Sequence, residues 1–473
     1  MPTTSILQQR GYRTRRSDLI VRARADRRYR LGYALGITSF AAALVSVVLA
    51  FSVYPSLTIP GPAVALVGDF DTPPTTLQPK NIEMASDVRW GALFAASSDG
   101  INLTQQIGGR ATGSGTAGRM SATSSPAVSR LNDHGLDSAA RTAALEALFD
   151  PTVVAVIGHS RSATTEAALD YYLAARFPVL LPIATSTRIN LDALGNAIIF
   201  RLPPNDALQA EAIAAAAARA TEQTRNVDAP ILIVYSDDAY GTPLAWAVYR
   251  RLLTDAPVLP PVPLDPAGRL PAELLSGRLN PSALVVCGYH QQAILAAAWF
   301  RTFSRSPLLL SDGAVNPAIF DYASPFLWQN AHFFFPEMNT AVSPDQFESA
   351  LTSWIRDSPE PIPQDLPERL RRLPSYFYYG VDSMLLLSSA ISHVWTARTP
   401  ERKFPIVGWP QANAVRVGNL LTKGFRAGPV VGLAGTYVYL GPGERSDARF
   451  VQYHYVPATP VSPSAEAHLE KDH

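Results

Sequence analysis

Cysteine is almost absent: Cys287 is the only one in 473 residues. No disulfide can form within the chain, and no lipid-accepting cysteine follows its apolar segment. Charged side chains are also scarce, at 17% of the sequence, and the net charge is only +1. That balance is uneven. Nine arginines against two aspartates give residues 1–30 a charge of +7, leaving −6 for everything after them. A mildly acidic body argues against nucleic acid as a partner. His159, His290 and Cys287 lack metal-ligand spacing, so neither a metal nor a cofactor is expected. No phosphate-cradling ATP loop is present, so work driven by ATP would need a partner.

What is present begins with a membrane signal. Residues 31–53 carry no charge, and the run is long enough to cross ~30 Å of hydrocarbon as a helix. Tyr29, Tyr33 and Tyr54 stand at its ends, and the arginine-rich tail 1–30 precedes it. The positive-inside rule keeps that tail in the cytoplasm and exports the body. The expectation is a single-pass cell-membrane protein with a transmembrane helix or signal-anchor at 31–53. Val48 and Ala50 also suit a cleavage site, so removal of the segment stays open. Residues 54–62 read as a linker.

From residue 63 onward, short apolar runs alternate with segments of helical spacing. That pattern predicts an α/β protein with two doubly wound, Rossmann-like lobes. The central unit is 153–187, VVAVIGHSRSATTEAALDYYLAARFPVLLPIATST. It reads strand, polar loop, helix, strand, polar loop. Both loops lie at strand carboxyl ends, where open α/β sheets bind ligands. Ser162 stands at a helix amino end, whose unpaired N–H groups attract an anion. Two hydroxyl-bearing loops side by side make a socket for a carboxylate. Further on, 357–374 is proline-rich and charged, and is expected to be a surface insertion. Residues 436–440 and 450–456 alternate and are expected to form a hairpin. The end, 457–473, is expected to be disordered.

VIGHSRSATTEAALDYY and FPVLLPIATST resemble the ligand-binding core of type 1 periplasmic binding proteins. The resemblance is strongest to the leucine/isoleucine/valine-binding proteins of ABC transporters. FRLPPNDALQAEA, ILIVYSDDAYG, LVVCGYHQQ and LLLSDGAVNPAIF follow in the family's order. The resemblance implies two lobes joined by three crossings, with the ligand between them. Lobe 1 would be 63–203 with 339–427, and lobe 2 would be 204–338 with 428–456. It also implies ligand contacts at Ser162, Ala163, Ala184, Thr185, Tyr240, Tyr289 and Asp312. Ser162 would hold the ligand carboxylate, and Thr185 its polar head. Asp312 would pair its ammonium, while Tyr240 and Tyr289 close over it. His290 is an alternative to Tyr289. The implied function is capture of a small amino-acid-like ligand and its delivery to an ABC permease. Sensing for another membrane partner without transport is the alternative. The first loop, DFDTPPTTLQPKN, departs from the family in lacking a tyrosine. Asp69 or Asp71 there would favour a cationic ligand, and Arg161 an anionic one.

Two other motifs compete. Residues 158–162, GHSRS, follow a strand and precede a helix but lack the last glycine of a nucleophile elbow. A serine hydrolase would use Ser160 with Asp312 and one of His332, His393 or His454. Residues 113–118, GSGTAG, match a dinucleotide fingerprint in letters only, because no strand leads in and no helix follows.

Overall fold

The β-branched runs form two parallel sheets, because their residues have no polar face to give to water. The computed structural model describes residues 61–70, 82–98, 100–103, 126–191, 198–223, 229–265, 267–271, 274, 279–317, 319, 324, 326–338, 342–396, 409–427, 429–439, 443–457 and 467–472. In the first sheet, β1 (Ala63–Gly68) and β3 (Val153–Gly158) are buried along their whole length. β2 (Ala127–Asn132), β4 (Val179–Leu181) and β5 (Ile199–Arg201) complete the order β2-β1-β3-β4-β5, all parallel. β2 is one edge, and its Ser129 and Arg130 fit its partial exposure.

The second sheet repeats the winding. β6 (Ile231–Ser236), β7 (Val262–Leu264), β8 (Ala283–Cys287), β9 (Leu308–Leu310) and β10 (Ala331–Pro336) run parallel in the order β7-β6-β8-β9-β10. Pro263 is tolerated in β7 because that strand pairs on one side only. β13 (Phe450–Val456) and β14 (His468–Lys471) extend this sheet antiparallel beyond β10.

The helices cover the sheets: α1 (Ile82–Ala96), α2 (Asp137–Phe149), α3 (Ser162–Ala175), α4 (Asp206–Gln223), α5 (Gly241–Leu252) and α6 (His290–Arg301). α7 (Pro344–Asp357), α8 (Leu366–Arg372), α9 (Phe377–Thr396) and α10 (Trp409–Ala427) then follow β10. These later helices return to the first sheet. Trp354 of α7 sits 5.4 Å from Phe94 of α1, and Phe425 of α10 sits 4.8 Å from Phe200 of β5. α9 crosses α1 with backbones touching. A Cβ on Gly91 would lie 2.0 Å from the Phe377 carbonyl oxygen, and one on Gly380 would lie 2.2 Å from that of Val88. The chain therefore passes between the two layered halves at 202–205, between β10 and α7, and again before β13. Both sheets lie in one compact unit, Gly61–Arg402 with Pro410–His473.

Three expectations fail. The predicted hairpin does not form. β12 (Thr436–Tyr437) pairs with β11 (Val430–Val431), while β13 pairs with β10 and β14. Alternation marks a half-buried strand but says nothing of its partner. The tail 457–473 is not wholly disordered, because β14 gains a ladder along β13 despite its charged sequence. Residues 357–374 are not a bare insertion. Leu366 and Leu370 of α8 are buried, and Arg369 reaches Asp87 of α1 at 2.8 Å.

Among the described residues, no helix is long and apolar enough to cross a membrane. The basic tail 1–30, the expected anchor at 31–53, residues 71–81 with Asp71, and the stretch 113–118 all lie outside the described residues.

Candidate functional site

In each sheet the strand order reverses direction between the first strand and its two neighbours. Crevices open at such points, at the strand carboxyl ends. In the first sheet that edge carries Asp69, residues 158–162 and residues 182–186. In the second it carries residues 236–240, 288–290 and 311–313. The two edges meet. The Ser186 hydroxyl donates to the Ala239 carbonyl at 2.7 Å. Tyr376, which leads into α9 on the first half, donates its hydroxyl to Asp312 of the second.

On the first edge, Gly158 makes the tight exit from β3. Its φ is +148°, and a Cβ would lie 2.3 Å from the Val67 carbonyl oxygen. Ser162 and Ala163 open α3. No side chain caps this helix, whose N-cap is Arg161, so its first N–H groups lack intrahelical acceptors. The Ser162 hydroxyl accepts from the Ser186 N–H at 3.4 Å, which ties the two predicted loops together. Ala184 and Thr185 are buried in the second loop, and the Thr185 carbonyl accepts from the Asp206 N–H at 2.8 Å.

On the second edge, Asp312 is 3% exposed and opens a short 3-10 turn (Asp312–Ala314). It accepts from Tyr240, Tyr376, the Gln209 amide at 2.8 Å and the Gly313 N–H at 3.0 Å. Burial still pushes its carboxyl above the usual carboxylate range, outweighing these donors. Tyr240 and Tyr289 pack at a tilt, with ring centres 5.4 Å apart. Burial, then the Asp312 charge, raises the Tyr240 phenol; burial, then Asp238, raises that of Tyr289. Asp238 orders the turn by accepting from the Tyr240 N–H at 2.9 Å and the Gly241 N–H at 2.7 Å. His290 starts α6 and is buried, and its imidazole is held down to about 4 by burial.

Beside this meeting point, Leu66, Phe70, Val88, Ile157, Pro182 and Ile183 line a cavity of about 10 Å³. That is room for one water-sized sphere. Arg89 joins the lining, with its guanidinium 4.4 Å from the Trp90 ring centre and paired to Glu360.

All seven predicted residues thus gather at two facing sheet edges. Asp69 and Arg161 face one another at 3.8 Å on the first edge. The hydrolase constellation does not assemble. The Ser160 hydroxyl accepts from the Asp69 N–H at 3.3 Å, and no histidine among the described residues bonds it. His159 next to it has both ring nitrogens engaged, by Asp133 at 2.8 Å and the Tyr172 hydroxyl at 3.1 Å. His332 and His454 lie on β10 and β13, bonded to Gln452 and Asp472.

Sequence reasoning missed Tyr376, Ser186, Asp206 and Gln209. Tyr376 sits in an aromatic run that reads only as a helix start. Asp206 and Gln209 read as ordinary first-turn residues of α4.

Several solved structures share this architecture. The leucine-binding protein of Thermotoga maritima is 15% identical, with 86% of this chain and 97% of that one covered at a TM-score of 0.55. The isoleucine-bound branched-chain amino acid substrate-binding protein of Streptococcus pneumoniae is 16% identical, with 87% and 100% covered at 0.56. The chain has the fold of ABC-transporter substrate-binding proteins. An extracellular ligand-binding receptor from Rhodopseudomonas palustris HaA2 has it too, 13% identical with 87% and 100% covered at 0.61. No family model matches the chain, and no curated protein matches its sequence. The facing edges described above lie between the two sheets of this fold.

Proposed function

We propose that the chain is an extracytoplasmic solute-binding protein that captures a small amino-acid-like ligand between its lobes and passes it to an ABC permease. One observation carries the reading. A hydroxyl and N–H edge, Ser162 to Thr185, faces a carboxylate edge built around Asp312. The first side suits a ligand carboxylate and the second a ligand ammonium. Phe70, Val88 and Ile183 beside them give the meeting point an apolar wall. The structural neighbours named for leucine and isoleucine support the same class. Direct contacts such as Tyr376 to Asp312 correspond to a closed cleft, so a ligand must enter an open form and favour closure. We further propose that residues 31–53 anchor the protein with its body outside the cytoplasm.

A thermal-shift screen against the twenty L-amino acids tests the reading. A ligand at 100 times its Kd adds about 2.7 kcal/mol, which is visible as a melting shift. No stabilisation by any amino acid would overturn it. For the anchor, protease added to intact cells should remove the body, and a body protected until lysis would contradict the proposed orientation.

A further inference from the structure

A second cavity lies where the chain crosses between the halves. Its volume is about 110 Å³, against about 10 Å³ for the cavity beside the facing edges. All three crossings line it. Pro204 comes from the first, Glu337 follows directly on β10, and Thr436, Arg445, Asp447 and Arg449 come from the run before β13. None of the residues at the facing edges lines it, so it is a separate place. A hollow of this size takes several waters or a molecule of a few heavy atoms.

The lining is ionic, and its carboxylates are already taken. Arg445, whose side chain is 6% exposed, donates to Asp447 at 3.0 Å and to the Leu202 carbonyl at 2.9 Å. Glu337 accepts from the Arg449 guanidinium on both oxygens and from the Lys471 ammonium at 2.7 Å. The Arg449 bonds, with help from Lys471, outweigh burial and hold the Glu337 carboxyl down to about 2, so it has no proton to give. Donors are left over. Arg449 spends Nε and Nη2 on Glu337, and its Nη1 has no partner among the described residues. The Thr436 hydroxyl bonds nothing among the described residues, although the Thr436 carbonyl accepts from Arg445 at 2.8 Å. Within this ring of pairs, three cations stand against two carboxylates. Spare donors and a positive balance suit an anion with several acceptor oxygens, not a cation or an apolar group.

We propose that this cavity is a second ligand site, which takes a small oxyanion and so biases how the halves hinge. Carboxylates, phosphates and sulfates all fit an arginine fork. Closure of two lobes turns the segments that join them, and this cavity takes its walls from all three. An oxyanion that spans them therefore binds the open and closed forms unequally. The cavity is formed here while the facing edges touch, so the oxyanion favours the closed form. By linkage it tightens the binding of any ligand that also needs closure. The site does not depend on the amino-acid reading above; only the coupling to the cleft rests on it.

The test uses the full-length protein with sodium acetate, phosphate and sulfate as probes, each replacing chloride at constant ionic strength. Thermal shift and calorimetry compare the wild type with Arg449→Gln, Thr436→Val and a control, Arg371→Gln, which loses an exposed pair to Glu348 at 3.3 Å. At least one oxyanion should raise the wild-type Tm to a plateau, unlike the steady rise that salting-out gives. Arg449→Gln should weaken that oxyanion about ten-fold or more, because a charge-assisted bond is lost. Arg371→Gln should leave it unchanged. If Arg449→Gln does not fold, Thr436→Val decides: weaker oxyanion binding supports the site, and unchanged binding overturns it. No plateau with any of the three probes, or an equal shift from glycerol at the same concentration, also overturns the site. Saturating oxyanion should raise the affinity for the tightest amino acid from the screen about five-fold or more, and not in Arg449→Gln. Oxyanion binding with no change in that affinity overturns the hinge role. If no amino acid binds while the oxyanion does, the amino-acid reading falls and the site stands.

Discussion

Tyr376→Phe should open the ligand-free cleft. Tyr376 is 2% exposed and stands on the first half of the molecule, while its phenol donates to Asp312 on the second. The substitution keeps the ring and its packing, 4.9 Å from Phe335 and 6.0 Å from Tyr379. It removes one hydrogen bond to an acid, and with it a tie between the halves. Such a bond contributes about 1.5–3 kcal/mol when its acceptor is charged. Because Asp312 is pushed toward its neutral form, the lower end of that range applies. A loss of about 1.5 kcal/mol moves a two-state equilibrium roughly ten-fold. The Ser186–Ala239 bond at 2.7 Å remains, so closure is weakened rather than abolished. Small-angle scattering of the unliganded variant should give a larger radius of gyration than the wild type, and saturating ligand should restore the smaller value. Identical unliganded scattering from the two proteins would refute this, since the bond would then contribute nothing to closure.

Two further predictions concern the scaffold. Asp382 of α9 accepts from Ala434 N–H at 2.8 Å and the Tyr437 hydroxyl at 2.5 Å, yet burial raises its carboxyl to about 6. The folded form holds this proton more tightly than the unfolded chain. Its contribution is therefore present below about pH 4 and lost as pH rises through about 6, by roughly 3 kcal/mol. Urea unfolding should show that decline in the wild type and not in Asp382→Asn, and parallel profiles would contradict it. Gly91→Ala places a methyl where Phe377 backbone now lies, forcing α1 and α9 apart. It should cost about 1–3 kcal/mol by overpacking, seen as a lower melting temperature with unchanged helix content, and an unshifted Tm would contradict the close approach.

Much of this architecture can be read along the sequence. β1, β3, β6 and β8 are apolar on both faces, and only a covered parallel sheet accepts such strands. Gly158, Ser162 and Thr185 lie within one βαβ unit, so their convergence follows from local geometry. Asp312 and Tyr240 follow from the order of motifs more than from any one of them. Tyr376 is different. It lies 64 residues from Asp312 in sequence, and only the return of α9 to the first half brings them together. Asp206 and Gln209 present the same difficulty, since first-turn residues are ordinary helix chemistry until their contacts with Thr185 and Asp312 are seen. The partners of β12 and β13 were likewise hidden, because alternation reveals a strand's faces and not its neighbours.

The central claim is that one cleft edge holds a ligand carboxylate and the other its ammonium. Calorimetric titration of the wild type and Asp312→Asn tests it most directly, using the tightest amino acid from the screen and its des-amino analogue. A desolvated charge left without its partner costs about 2–5 kcal/mol, or roughly thirty-fold to several thousand-fold in affinity. The account predicts that Asp312→Asn weakens the amino acid by that amount and the des-amino acid little. Equal weakening of both ligands would contradict it.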